Sequence, residues 1–313
     1  MKSTRVLLIV MLFSVLLASC APAATPQPTP APTAAAAITL IDGLGRNVNL
    51  AQPAQKIISL APSNTEILFA VGAGDQVIAR DEFSDYPEQA MALPAAGGSM
   101  GNFDLEEITR LQPDLVLLAE TNAPELVKSL EDLGLTVYYL SNPTDFDGLY
   151  GNIEIVGALT GHSAEAETLN AGLRERVQAV LLKIAPLSSR PVVFYELDGS
   201  DPARPWTAGP GNFVDLLISM AGGFNAAAEM EQAWAQISLE ELLVQNPSII
   251  LLGDAAYGMT PEMVKARAGW EGLSAVQQDQ IYTFDDDLVS RPGPRMVDGL
   301  ETLARLIHPG VFE

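Results

Sequence analysis

The chain has 313 residues, 48% of them hydrophobic, enough to bury one large core or two ordinary ones. Its 39 acidic side chains outnumber 17 basic ones, for a formal net charge of -22. That charge repels nucleic acid and anionic lipid surfaces, and the apolar fraction is too high for a disordered chain, so these three classes are excluded.

Lys2 and Arg5 precede an apolar run over residues 6–17. The run is shorter than the about 20 apolar residues a membrane span needs and reads as a secretory signal over residues 1–19. It ends in Leu17-Ala18-Ser19-Cys20, which resembles the lipobox of bacterial lipoproteins, where a peptidase cuts before the cysteine and a diacylglycerol is joined to its sulfur. The resemblance makes Cys20 the lipidation site and implies an exported protein anchored to the cell membrane, on the extracellular face or in the periplasm. Cys20 is the one cysteine of the chain, so an internal disulfide, a cysteine zinc site and thiol catalysis are all excluded. Residues 21–37 are Pro, Thr and Ala with one Gln and no charge, a composition that favours extended polyproline II. At roughly 3 Å per residue this tether, residues 20–37 with the lipidated cysteine, holds the body several nanometres from the membrane.

Fold reasoning starts at Ile38. The run KIISL at 56–60 predicts a strand, and Ser63-Asn64-Thr65-Glu66 predicts the start of a helix that Gly72 and Gly74 stop. A strand at 114–118, a helix at 123–133 and a strand at 135–140 continue the alternation and complete an N-terminal lobe, 38–144. Residues 145–184 contain no proline and place Leu149, Ile153, Val156 and Leu159, then Leu169, Leu173, Val177, Val180 and Leu181, at helical spacing. They predict a connecting helix, 145–185, broken or kinked at Thr160-Gly161, with Ser163 as cap of the second piece. After Pro186 the pattern resumes with PVVFY at 191–195, opening a C-terminal lobe, 186–313. The expected fold is α/β: two parallel-sheet α/β lobes joined by a single long helix, with a ligand cleft between the lobes.

A repeat supports two related lobes. Residues 104–118 align without gaps on 238–252, with identity at Leu105/Leu239, Glu106/Glu240, Glu107/Glu241, Pro113/Pro247, Leu117/Leu251 and Leu118/Leu252. Each copy reads as an N-cap (Asp104 or Ser238), a capping-box glutamate (Glu107 or Glu241), a short helix, a proline stop and a buried strand. A fainter echo pairs 66–74 with 215–223. So few copies at such separation are not a solenoid.

Three motifs together carry a family resemblance: Ile57-Ile58-Ser59-Leu60-Ala61-Pro62-Ser63-Asn64-Thr65-Glu66-Ile67-Leu68, then Phe83-Ser84-Asp85-Tyr86-Pro87, then Leu105-Glu106-Glu107-Ile108 with Gln112-Pro113-Asp114-Leu115-Val116. They resemble the periplasmic-binding proteins for cobalamin, haem and ferric siderophores, from about Ile38 to the end of the chain. The resemblance implies two α/β lobes joined by a rigid helix, limited closure on binding, and delivery of the ligand to an ABC permease with its ATPase. It gives Glu106 and Glu240, second in their helices, the role of docking on permease arginines; their bland role is to complement the helix dipole. The body is expected to be monomeric.

A large chelate asks for aromatic and apolar walls with a few placed polar groups. Phe83 and Trp234 match positions that face the ligand in similar proteins. Tyr195 and Trp206 flank the loop leaving PVVFY, and Asp287 with Arg291 falls in the loop before the last helix, which supplies polar contacts in relatives. Where similar cobalamin binders carry a tryptophan, this chain has Met100, which packs on a flat ring with less area. Haem would want an axial tyrosine or histidine; His162 and His308 are poorly placed, leaving Tyr195 and Tyr257. An anionic siderophore would want several arginines, and the candidates are Arg291, Arg204 and Arg295. The expected ligand is therefore a metal chelate, a corrinoid such as cobalamin ahead of a ferric siderophore, with haem as the alternative. Cobalt or iron comes inside the ligand, and neither a resident cofactor nor a protein-held metal is expected.

No enzyme constellation is present: there is no GxxxxGK[ST] or HExxH, and Gly161-His162-Ser163-Ala164-Glu165 lacks the last glycine of a nucleophile elbow. Asp285-Asp286-Asp287 reads as a solvated acidic loop rather than a cation site. A ligand-sensing or adhesion lipoprotein is the remaining rival, and it would need an exposed apolar patch instead of a cleft.

Overall fold

The structure is a computed structural model and describes residues 37–312. The signal, Cys20 and nearly all of the tether lie outside the described residues.

The first element is an antiparallel hairpin of β1 (Ile38–Ile41) and β2 (Asn47–Leu50). The Asp42 carboxylate accepts the amides of Leu44 (3.1 Å) and Arg46 (2.9 Å) and so shapes the turn. The N-terminal lobe follows as β3 (Ile57–Ser59), α1 (Pro62–Ala70), β4 (Val77–Arg80), α2 (Leu105–Leu111), β5 (Leu115–Ala119), α3 (Pro124–Asp132) and β6 (Val137–Leu140). Its sheet is parallel in the order β4-β3-β5-β6. α1 starts at Pro62, which needs no amide partner at the first helical position, so Ser63 to Glu66 lie inside the helix and are buried.

The expected connecting span divides at Gly161, whose φ of 82° ends α4 (Phe146–Thr160) in the left-handed conformation. The second piece, α5 (Ser163–Ile184), has 22 residues and leads into the C-terminal lobe. Its N-cap is His162, not Ser163, and no side chain caps it. The two helices fold back on one another and are tied by Asn170, whose side-chain amide donates to the Tyr150 carbonyl at 3.0 Å.

The C-terminal lobe contains β7 (Val192–Asp198), β8 (Trp206–Ala208), α6 (Phe213–Met220), β9 (Phe224–Asn225), β10 (Trp234–Gln236), α7 (Leu239–Gln245), β11 (Ile249–Leu252), α8 (Pro261–Lys265), α9 (Ser274–Gln277), β12 (Ile281–Thr283), α10 (Asp287–Ser290) and α11 (Met296–Ile307). Strands β9, β7, β11 and β12 are parallel, and an antiparallel ribbon of β8 and β10 extends β7. The order β9-β7-β11-β12 repeats β4-β3-β5-β6 of the first lobe.

The sequence repeat is a structural repeat. Asp104 accepts the Glu107 amide at 2.9 Å and Ser238 accepts the Glu241 amide at 3.1 Å. Gln112 (φ 50°) and Asn246 (φ 44°) close the two helices in the same left-handed conformation before proline. The reciprocal half of each capping box is not formed: Glu107 pairs with Arg110, and Glu241 accepts from Gln245 at 2.8 Å.

One apolar cluster runs from Ile57 and Leu117 in the first sheet, through Leu149, Ile153, Leu173 and Val177 of the two central helices, to Val193, Leu251 and Leu300 in the second lobe. Separate clusters cover the opposite face of each sheet. The α4–α5 contact is so close at Gly157 that a Cβ there would lie 2.6 Å from the Ala166 Cβ, whereas a Cβ at Gly151 would meet nothing within 4 Å. Gly157→Ala is therefore expected to cost about 1–3 kcal/mol in urea unfolding through overpacking. Gly151→Ala in the same helix is expected to add about 0.5–1 kcal/mol by helix propensity. Equal effects of the two would show that the α4–α5 contact has room for a methyl group.

Candidate functional site

The carboxyl ends of the strands of both lobes carry the loops where the candidate residues gather, as expected of open α/β sheets. After β4 the loop is set by a buried polar network. Asp81 accepts the Phe83 amide at 2.9 Å and the Ser84 hydroxyl, and Thr65 Oγ1 lies 2.7 Å from Ser84 Oγ and 2.8 Å from Ser59 Oγ. Burial pushes the Asp81 carboxyl up, against the hydrogen bonds from Ser84 and Phe83 that pull it down. Buried polar atoms that satisfy one another in this way hold one loop conformation, and here it turns the Phe83 ring outward, 55% exposed. The ring borders a cavity of about 340 Å³ shared with Leu60, Pro62, Phe103, Asn122 and Leu126.

A second cavity, about 260 Å³, lies between the lobes. Glu120, Asn142, Pro143 and Thr144 line it from the N-terminal side and Asn212, Phe213, Trp234, Ser290 and Pro292 from the C-terminal side. The loop after β5 joins the two cavities, since Glu120 lines one and Thr121 to Ala123 the other. Trp234 and Trp206 are both exposed, 45% and 41%. The register pairs Trp234 with Ala208 and Gln236 with Trp206, so the two indoles are diagonal neighbours on one face of the β8–β10 ribbon. The ribbon is anchored by Asn212, whose side-chain amide donates to the carbonyls of Gly209 (3.0 Å) and Ala233 (2.6 Å).

Tyr195 is a correction. β7 runs on to Asp198, so Tyr195 lies in mid-strand, fully buried, with its ring edge-on to Phe284 and its hydroxyl on Asp286. Burial, then the Asp286 charge, pushes its phenol well above the ordinary range. Neither a ligand wall nor an axial ligand is available there. The strand lengthens because Glu196, a charged residue in a buried strand, is satisfied by Arg267 through hydrogen bonds of 2.5 and 2.8 Å. Met100 lies in a single 3-10 turn, Ser99–Gly101, and its side chain lies outside the described residues. Tyr257, 92% exposed, follows β11.

Arg291, Asp287 and Arg295 come together with two carboxylates that sequence alone does not mark as site residues, Asp85 and Glu66. Arg291 donates to Asp85 of the opposite lobe at 2.5 Å, lies 2.9 Å from Asp287 and 3.8 Å from Glu66. Arg295 makes a bidentate pair with Glu66 across the lobes, 2.6 and 3.0 Å, and its guanidinium lies 4.1 Å from the Tyr86 ring centre. Burial pushes the Glu66 carboxyl up, opposed by the hydrogen bonds and charge of Arg295. Burial also acts to raise Asp85, but the Arg291 hydrogen bond and charge hold it below the usual carboxylate range. Asp85 and Glu66 stand inside the family motifs, yet their partners are 206 and 229 residues away, and no local pattern announces such a pairing. Arg204, the remaining candidate cation, is exposed.

Glu106 and Glu240 are both exposed in the first turn of α2 and α7. Among the described residues neither has a salt-bridge partner, unlike Glu107 beside Glu106.

Residues 57–288 match the family described as periplasmic binding protein. A vitamin B12-binding protein of Vibrio cholerae serotype O1 is 34% identical over 253 residues, 80% of this chain and 87% of that protein. The ABC transporter substrate-binding lipoprotein YvrC of Bacillus subtilis is 30% identical over 279 residues, 88% of this chain and 87% of that one. Among solved structures, the apo form of the periplasmic heme-binding protein RhuT from Roseiflexus sp. RS-1 is 27% identical and gives a TM-score of 0.74, with 82% of this chain and 99% of that chain covered. The two lobes, the cleft between them and a match over most of the body agree: this chain belongs to the periplasmic binding proteins, the solute-binding components of ABC importers.

Proposed function

We propose that the chain captures a corrinoid-class chelate in the cleft between its lobes and hands it to an ABC permease, while a lipid on Cys20 keeps it at the membrane. The observation that carries the ligand class is the pair of exposed aromatics, Phe83 bordering the cavity of the first lobe and Trp234 the cavity between the lobes, suited to the flat faces of a large macrocycle. The vitamin B12-binding relative supports the same class. Each cavity alone is at or below the lower end of the about 300–1,000 Å³ of ordinary ligand sites, so a corrinoid would take both and part the lobes slightly. Cobalt enters as cargo, and the protein supplies no metal ligand.

Haem is the second reading, favoured by Tyr257, an exposed tyrosine on the loop leaving β11. Both histidines are off the cleft loops: His162 joins α4 to α5, and His308 reaches the Gly222 carbonyl at 3.3 Å.

Calorimetry of the body from Ile38 onward with cyanocobalamin, cobinamide, haemin and a set of ferric siderophores tests the reading. A sub-micromolar corrinoid signal is expected, weakened about ten-fold or more by Phe83→Ala or by Trp234→Ala, as for central aromatic anchors. Corrinoid binding that ignores both substitutions would place the ligand elsewhere.

Delivery is proposed to use Glu106 and Glu240, one on each lobe at equivalent positions of the repeat. Glu106→Ala with Glu240→Ala is expected to abolish uptake in cells while calorimetric affinity stays within about two-fold, because both lie on helices away from the cavity linings. Lost affinity would assign them to the ligand instead.

A further inference from the structure

The charged groups between the lobes carry a consequence for the kind of chelate admitted, resting on the reading of the cleft as a chelate site. Arg291 is flanked by Ser290 and Pro292, both of which line the inter-lobe cavity, so its backbone stands at the edge of that site. It is occupied on two sides: Asp85 takes Nη1 from the opposite lobe, and Asp287 lies 2.9 Å from Nε. Arg295, the next cation, is consumed by Glu66 and covered by Tyr86. Three carboxylates thus face two guanidiniums, and Asp285 adds its negative field to Arg295 and Asp287. An arriving anion meets a cluster that is already over-neutralised, in a partly desolvated place where like charges are costly.

We propose that Asp85 is a specificity-determining residue: by holding Arg291 across the lobes, it withdraws the guanidinium that carboxylate groups of a ligand would need, and so admits chelates without a carboxylate rim and turns away those that carry one. Rejection here is built from an unfavourable charge placed against the wrong ligand, and not from added contacts to the right one. Glu66 does not play this part. Its side chain is 1% exposed and sealed under Arg295, whereas the Asp85 side chain is 55% exposed and can be exchanged for a ligand group without opening the core.

The test compares full-length chain in detergent, wild type, Asp85→Asn, and Asp85→Asn with Arg291→Gln, for binding of cyanocobalamin, which has no carboxylate and is neutral overall because its cobalt balances its one phosphodiester, and haemin, which has two carboxylates. Wild type is expected to favour cyanocobalamin. Asp85→Asn should shift the affinity ratio toward haemin by about ten-fold, with a gain that fades as salt is raised, because a freed surface-facing guanidinium acts through screened charge. The double variant should return the ratio to its wild-type value, since the gain comes from Arg291; Asp85→Ser makes the same charge deletion with a smaller side chain. A ratio unmoved in both single variants, or a gain that survives loss of Arg291, overturns the role of Asp85 while leaving the chelate reading intact. Absence of binding by either chelate to every form overturns the chelate reading, and this inference with it.

Discussion

The apolar core that passes from one sheet to the other through α4 and α5 is the constraint on which the rest depends. Ile57, Leu149, Val177, Val193 and Leu300 belong to a single buried cluster, although they come from both lobes and both connecting helices. Opening the cleft widely would strip apolar surface from that cluster at about 25 cal/mol per Å². The shared core therefore resists a change in lobe separation, and the rim between the lobes is formed by the loop carrying Phe83, the β8–β10 ribbon, and the ion pairs between lobes. The same core sets the spacing of Glu106 and Glu240, the two glutamates proposed for docking.

On this frame the inter-lobe charges divide into two kinds. Glu66 is nearly solvent-free beneath Arg295, and removing the arginine from such a pair leaves a buried charge uncompensated, a loss of about 3–5 kcal/mol. Asp85 and Arg291 meet at the edge of solvent and are exchangeable. Surface pairs such as Lys128 with Asp132 belong to neither kind and contribute little, about 0–1 kcal/mol. Between the lobes, too, carboxylates outnumber cations: Arg291 and Arg295 are each matched by carboxylates, and three acids share the two of them.

The internal repeat links fold and delivery. Asp104 and Ser238 cap equivalent helices, Gln112 and Asn246 end them in the same conformation, and β5 and β11 follow in equivalent sheet positions. Duplicated geometry places an unpaired glutamate on the first turn of each helix at no extra structural cost, since a carboxylate there is favoured by the helix dipole in any case. The second lobe differs in the added ribbon, which carries Trp206 and Trp234 on one face and has no counterpart among the described residues of the first lobe.

Sequence by itself determined the features that depend on spacing within one element. Hydrophobic runs marked β3, β5, β6 and β11, period 3.6 marked α4 and α5, Gly161 marked the break between them, and paired caps marked the repeat. Each of these is decided by residues a few positions apart, whose backbone preferences act before any tertiary contact forms. Tertiary structure alone decided that Tyr195 is interior, because strand β7 lengthens only when Glu196 finds Arg267, 71 residues away. It also decided that Arg291 and Arg295 are spoken for, because Asp85 and Glu66 reach them only once both sheets have packed on the same two helices. Charges in sequence are free to pair with any neighbour, and only the packed core selects which neighbours they have.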